Sequence, residues 1–209
     1  MDMVEKLRWR YTTKIFDAQR KISDEGLEAL KESLRLSPSS FGLQPWKFVV
    51  VNSKDLRQKL KEHAWGQSQI TEASHLIVLC VLTDLDEKNV GEYIDYTAKV
   101  RNIDKSKLEE YRTMMVKFVK GLSKEEKKSW MKRQLYIALG TLMATAASMG
   151  IDSCPIEGFN SGKFDEVLGL EKYGAESVVL CALGYRSKDD KNASLKKVRY
   201  PDDKIFIKM

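Results

Sequence analysis

Two apolar periods alternate along this chain. Leu27, Leu30 and Leu34 recur at helical spacing behind Ser23-Asp24-Glu25, a hydroxyl N-cap followed by acids in the first turn. Pro38 ends that helix, because it lacks an N–H and restricts the residue before it. The run Lys47-Phe48-Val49-Val50-Val51-Asn52 then predicts a buried strand. Ser53 opens a helix with Leu56 and Leu60 on one face. Residues 75–83 (HLIVLCVLT) and 177–185 (SVVLCALGY) predict two more strands, and 86–120 one or two charged helices. Ser123-Lys124-Glu125-Glu126 fits a capping box. It opens the longest helix, which runs through Leu135, Leu139, Leu142 and Ala146 to Gly150 at the C′ position. Residues 1–9 and 164–168 predict short helices. The end, KIFIKM, alternates as a strand too short to bury itself, so it should pair with something.

This pattern predicts a mixed sheet covered by helices, α+β or α/β. The long helix is small and apolar nearly all round (IALGTLMATAASMG). Such a helix is buried on several sides, in the core of its own chain, against a partner chain, or both.

Composition narrows the picture. A chain of 209 residues, 43% hydrophobic, without repeats or a long linker, predicts a single domain over 1–209. The start, MDMVEKLRWRYTTK, has no apolar stretch of the kind a secretory signal needs. No apolar run approaches the roughly 20 residues of a membrane span. Cys80, Cys154 and Cys181 are odd in number, form no CxxC, and lie partly in apolar runs. Together these predict reduced thiols and a cytoplasmic protein. His63 and His75 are the only histidines and neither has a ligand-spaced partner, so no metal site is expected. The net charge of +6, from 36 basic and 30 acidic residues, is spread along the chain. Nucleic-acid binding wants that excess gathered on one face, whereas an anionic cofactor needs only a few cations.

Four segments carry candidate chemistry. RYTTKIFD (10–17) places Arg10, Thr12 and Lys14 close together, which suits either a solvated face or an anion site. Near the other end, Lys197 and Arg199 sit two apart and point to one side if extended. Chain termini often lie close together, so the two clusters can converge. Ser37-Pro38-Ser39-Ser40 is a rigid, hydroxyl-rich turn or simply a helix stop. Cys154-Pro155-Ile156-Glu157-Gly158-Phe159 reads as a turn whose backbone N–H groups can meet a flat heterocycle, or as an ordinary loop.

In this order R-x-[ST]-x-K-x-F, SPSSxxxQPWxF, an (E/D)ASH-type approach to a strand, PIEGF and K-x-R-x-P resemble the FMN-dependent nitroreductase family. The chain is most similar to its oxygen-insensitive NAD(P)H nitroreductase and dihydropteridine reductase branch. The resemblance spans Arg10 to Pro201 and implies a nitroreductase-like α+β fold with a mostly antiparallel sheet. It implies a homodimer with intertwined chains, whose C-terminal tails reach the partner. It also implies a flavin site at the interface. Arg10, Thr12, Lys197 and Arg199 would hold the FMN phosphate, with Tyr11 and Thr13 also among the cofactor-binding residues. Lys14 would lie by the N1 edge of the ring and tune it, and Pro155, Ile156, Glu157 and Gly158 would present backbone N–H groups near N5. Pro38, Ser39 and Ser40 would close over the cofactor of the other subunit. Phe41, Trp65 and Phe118 would line the substrate face, with Met114 and Met115 in a permissive apolar cap, although core packing explains such residues equally well.

One region departs from the family pattern. Relatives carry an Asn and a Lys before the strand where this chain reads AWGQSQITEASH, so Gln67 or Gln69 would take the pyrimidine edge. The implied activity is NAD(P)H-dependent reduction of flat acceptors (nitroaromatics, quinones, pteridines) by ping-pong hydride transfer. The alternatives are a non-enzymatic FMN-binding or sensor module, flavin chemistry of another branch, and a nucleic-acid-binding protein. No Rossmann fingerprint is present from which to choose NADH or NADPH.

Overall fold

A computed structural model describes residues 2–209. Its elements are α1 (Met3–Trp9), α2 (Asp24–Arg35), β1 (Trp46–Val51), α3 (Lys54–Glu62), α4 (Gln69–Glu72), β2 (His75–Leu82), α5 (Glu87–Arg101), α6 (Glu109–Gly121), α7 (Lys124–Ser148), β3 (Asp152–Ile156), α8 (Ser161–Leu168), β4 (Ala175–Gly184) and α9 (Asp202–Ile205). The strands form one sheet in the order β1-β2-β4-β3, and every neighbouring pair is antiparallel.

The sheet is the middle of a three-layer sandwich. Successive strand residues point to opposite faces, and β2 shows it: Ile77, Leu79 and Val81 enter one apolar cluster, Leu76, Val78 and Cys80 the other. The first cluster is closed by α2, α5, α6 and α7, through Leu30, Ile94, Met115 and Leu139 among others. The second is closed by α3, α4 and α8, through Leu60, Ile70 and Phe164. The expected caps form. Ser23 accepts from Gly26 N–H, and Ser53 from Leu56 N–H. Ser123 and Glu126 make the reciprocal capping box of α7, and Gly150 follows its end at φ 71°.

α7 is buried along one stripe only. Leu135, Ala138, Leu139, Leu142 and Ala146 are buried, whereas Tyr136, Ile137 and Gly140 are exposed. Tyr136, Ile137 and Gly140 are therefore left with little cover in their own chain.

Two sequence expectations fail. Pro155 and Ile156 do not lie in a turn but complete β3, where Pro155 pairs with Cys181. β3 is an edge strand, the one place in a sheet where a residue without an N–H is tolerated. The tail is no strand either. Asp202–Ile205 is a helical turn behind Pro201, and Ile205, Phe206 and Ile207 are 54%, 64% and 85% exposed. In this chain the tail pairs with no strand among the described residues.

Candidate functional site

The opening motif follows α1 as an irregular strand along the outer edge of β3. Thr12 forms a parallel bridge to Ser153, and Thr13 N–H donates to Ser153 O at 3.4 Å. Three side chains distant in sequence fix this arm. Asp190 Oδ2 accepts from Tyr11 Oη at 2.9 Å, Lys14 N–H at 2.8 Å and Ile15 N–H at 3.2 Å. Asp152, at the start of β3, accepts from Thr13 Oγ1 and from the Arg186 guanidinium, the shortest contact being 2.6 Å. Arg186 in turn lies 4.3 Å from the ring centre of Trp9 and 4.5 Å from that of Tyr11.

The C-terminal basic segment folds back on this arm. Lys197 Nζ donates to Leu7 O at 2.6 Å and to Arg10 O, at the carbonyl end of α1. The two arms enclose a cavity of about 330 Å³, lined by Arg8, Arg10, Thr12, Lys14, Lys196, Lys197 and Arg199 and by no acid among the described residues. The electrostatics follow from that lining. Burial and the Arg199 charge lower the Arg10 pKa, and burial, Arg10 and Arg199 lower that of Lys197. Arg10 Nε is buried without a hydrogen-bond partner, as is Ser153 Oγ on the neighbouring strand. Cations held together and left unpaired in a polar cavity form a site for an anion with several acceptor oxygens.

β3 itself adjoins this arm, through the Thr12–Ser153 bridge. Burial pushes the Cys154 thiol up, while Lys14 and Arg10 act against it, so both cations stand near the β3 edge. Lys14 itself is exposed. The Trp65 ring lies on Gly158 so closely that a Cβ there would sit 2.1 Å from Cζ3. Trp65 takes a left-handed backbone (φ 54°) and is 77% exposed. Gln67 Nε2 donates to Ala64 O and Gly158 O, at 3.0 and 2.8 Å, so its donors tie this loop to the strand end. Gln69 is buried in α4. Tyr136 Oη donates to Glu157 Oε1, and burial and that bond push the phenol up to about 12.

The Ser-Pro-Ser-Ser turn lies elsewhere. Ser40 N–H donates to Gln134 Oε1 at 2.9 Å. Gln134 and Tyr136 are two residues apart on α7, which turns their side chains about 200° from each other. The turn and the Glu157 segment thus flank α7 on opposite sides of one chain. Phe41, in a left-handed backbone (φ 58°), lies by the turn, with its ring 5.1 Å from Phe118 and its carbonyl accepting from Tyr111 Oη at 3.0 Å. Phe41 and Phe118 come together, and Trp65 is not with them. Met115 is fully buried in the core, so only Met114 of that pair reaches solvent.

Asp152, Arg186 and Asp190 escaped sequence reasoning. Each looks like an ordinary surface charge in sequence, and only the return of the chain end brings them to the opening arm. Among the described residues no group of His, Cys, Asp and Glu could hold a metal, and no helix is long and apolar enough to cross a membrane.

Comparison with known proteins places the chain. A family model described as Nitroreductase family matches residues 7–185. YfkO of Bacillus subtilis, provisionally named an NAD(P)H nitroreductase, is 38% identical over 198 residues, covering 90% of each chain. The solved structure of ydfN, a provisionally named nitroreductase of Bacillus subtilis, superposes with a TM-score of 0.86 at 23% identity, over 99% of this chain and 98% of that one. A nitroreductase-type protein of Exiguobacterium sibiricum, solved in complex with FMN, superposes at 0.83 with 23% identity, over 100% of this chain and 98% of that one. The fold, the ordered motifs and the match along most of its length show that this chain belongs to the nitroreductase family.

Proposed function

We propose that the protein is a homodimeric FMN-dependent oxidoreductase that uses NAD(P)H to reduce flat acceptors such as nitroaromatics, quinones or pteridines. One observation carries this assignment: Arg10, Lys197 and Arg199, from opposite ends of the sequence, converge on an acid-free cavity with an unpartnered Arg10 Nε. A flavin phosphate is the anion that such a donor set fits.

When bound, FMN would supply the redox chemistry, hydride transfer between NAD(P)H and a flat acceptor. The chain's own residues bind, orient and tune. Arg10 and Arg199 supply charge-assisted donors for the phosphate, and Thr12 a hydroxyl. Lys197 adds charge while holding the C-terminal arm on α1. Lys14 is the cation free to stabilise negative charge developing on the ring. Pro155 and Ile156 make a rigid strand edge for the flat group, with Glu157 and Gly158 presenting their backbone beyond it. Trp65 is the exposed aromatic surface beside that edge.

Two features support the dimer. In one chain the Ser39-Ser40 turn and the Phe41–Phe118 pair lie across α7 from the Glu157 segment, so a second chain is needed to bring such a turn to the cavity. Ile137 and Gly140 on α7, and Ile205, Phe206 and Ile207 in the tail, are left uncovered. β1, with one free edge, is a strand that an extended tail can join.

The test is an absorption spectrum of purified protein before and after anaerobic NADH or NADPH. A flavin spectrum that bleaches supports the oxidoreductase and ranks the donors. Bound flavin that does not bleach favours a non-enzymatic flavin-binding module. A colourless protein that refuses added FMN overturns the proposal.

A further inference from the structure

We infer that Asp190 is a positioning residue that gives the flavin site its preference for a phosphorylated flavin; this rests on the FMN assignment above. Asp190 is only 2% exposed and makes no ion pair among the described residues. A buried carboxylate without a cation has to be held by hydrogen bonds, and here they divide by oxygen. Oδ2 serves the N-terminal arm, accepting from Tyr11 Oη, Lys14 N–H and Ile15 N–H. Oδ1 serves the C-terminal arm, accepting from Asn192 N–H at 3.1 Å and Asn192 Nδ2 at 3.0 Å. Those two bonds shape the turn Lys191–Ser194, from which the segment carrying Lys197 and Arg199 departs.

One carboxylate therefore sets the distance between the two halves of the phosphate cavity, although it does not line the cavity itself. The division of labour makes the group hard to replace. Every contact is a donor pointing at an oxygen, so both oxygens must be acceptors. An amide of the same size has one acceptor and one NH₂. Whichever way it is flipped, the NH₂ faces donors on one arm, and that arm is released. The flavin ring would rest on β3 and the segment after it, to which Asp190 makes no hydrogen bond; of the residues placed by the ring it holds only Lys14, through the backbone N–H, and Lys14 tunes the ring rather than retaining it. Loss of the carboxylate therefore weakens recognition of the phosphate and leaves recognition of the ring.

The experiment is Asp190→Asn, with dissociation constants for FMN and for riboflavin, which lacks the phosphate, measured by flavin fluorescence on cofactor-free protein. The expected result is FMN binding weakened tenfold or more, riboflavin binding unchanged, and a shallower loss of FMN affinity with added salt than in wild type, because ionic contacts are the ones lost. Equal weakening for both flavins, as general destabilisation gives, overturns the inference, and so does an unchanged FMN constant and salt slope. If Asp190→Asn does not fold, Asn192→Ala loosens the C-terminal arm, removing the Nδ2 bond while the backbone N–H bond and the carboxylate remain. It should shift FMN binding in the same direction, by less, and again spare riboflavin; an unchanged FMN constant or equal weakening overturns the inference here too. Wild-type protein that binds no FMN fails the flavin assignment itself, whereas wild-type binding with an unaltered variant fails this inference alone.

Discussion

Arg10 keeps a buried guanidinium nitrogen without a partner while Arg199 presses on it from the same cavity. Such an arrangement is costly until an anion enters, and it sets the expected size of a mutation. Charge-assisted hydrogen bonds are worth about 1.5–3 kcal/mol each, so Arg10→Ala or Arg199→Ala should weaken FMN retention roughly tenfold to a hundredfold, as read by flavin content after gel filtration. Lys14 is different, since its exposed ammonium stands by the β3 edge rather than being hydrogen-bonded to the phosphate arms. Lys14→Ala should retain FMN but lower the flavin midpoint potential and slow hydride uptake, by redox titration and stopped flow. Asp190 gives a pH dependence. Burial raises its pKa, but the bonds from Lys14, Tyr11, Ile15 and Asn192 outweigh that and lower it. A carboxylate with a lowered folded-state pKa contributes stability that is complete above its unfolded value of about 3.9 and is lost as pH falls through the folded one. The gap in unfolding midpoint between wild type and Asp190→Asn should be constant near neutrality and close only as pH drops below about 4. A gap closing at pH 6 would point to some other group.

At the scale of elements, local signals served well where the structure is locally determined. The caps of α2, α3 and α7 sit where Ser23, Ser53 and Ser123 predicted them, because a hydroxyl acceptor meets the unpaired N–H groups of the same turn. Ser123→Ala should cost about 1 kcal/mol, seen as a lower unfolding midpoint with FMN affinity unchanged, since the α7 start is remote from the phosphate cavity. Pro155 was misplaced for the opposite reason. Proline three residues before glycine signals a turn, yet the edge of a sheet accepts it, and only pairing with Cys181 decides between the two. Gly158 shows the same non-local control. Its missing side chain matters because the Trp65 ring occupies the space. Gly158→Ala should push the indole away, shifting tryptophan fluorescence and altering its quenching by FMN.

For the whole molecule the uncovered surfaces agree with one another. α7 leaves Ile137 and Gly140 bare, the tail leaves Phe206 and Ile207 bare, and the turn at Ser39–Ser40 lies across α7 from the Glu157 segment of its own chain. In the proposed dimer all three find a use. Ile137→Asp should shift sedimentation from dimer toward monomer and release FMN with it, because half of each site is then missing. Deleting residues 205–209 should weaken the dimer while leaving the secondary structure of each chain intact. A stable wild-type monomer that holds FMN would contradict this scheme.

The sequence by itself determined the longer helices with the caps of α2, α3 and α7, strands at 47–52, 75–83 and 177–185 that the structure bounds within a residue or two of those limits, and the ordered motifs that mark the family. Each of these rests on a period or a neighbouring residue, so a one-dimensional string contains it. Tertiary structure alone decided that Arg10 and Arg199 share a cavity, that Asp190 spans its two arms, that Gln67 is spent on the Ala64 and Gly158 carbonyls, and that Phe41 and Trp65 lie apart. These depend on where a chain of 209 residues returns to itself, and burial, charge and hydrogen bonding act between groups only after that return has occurred.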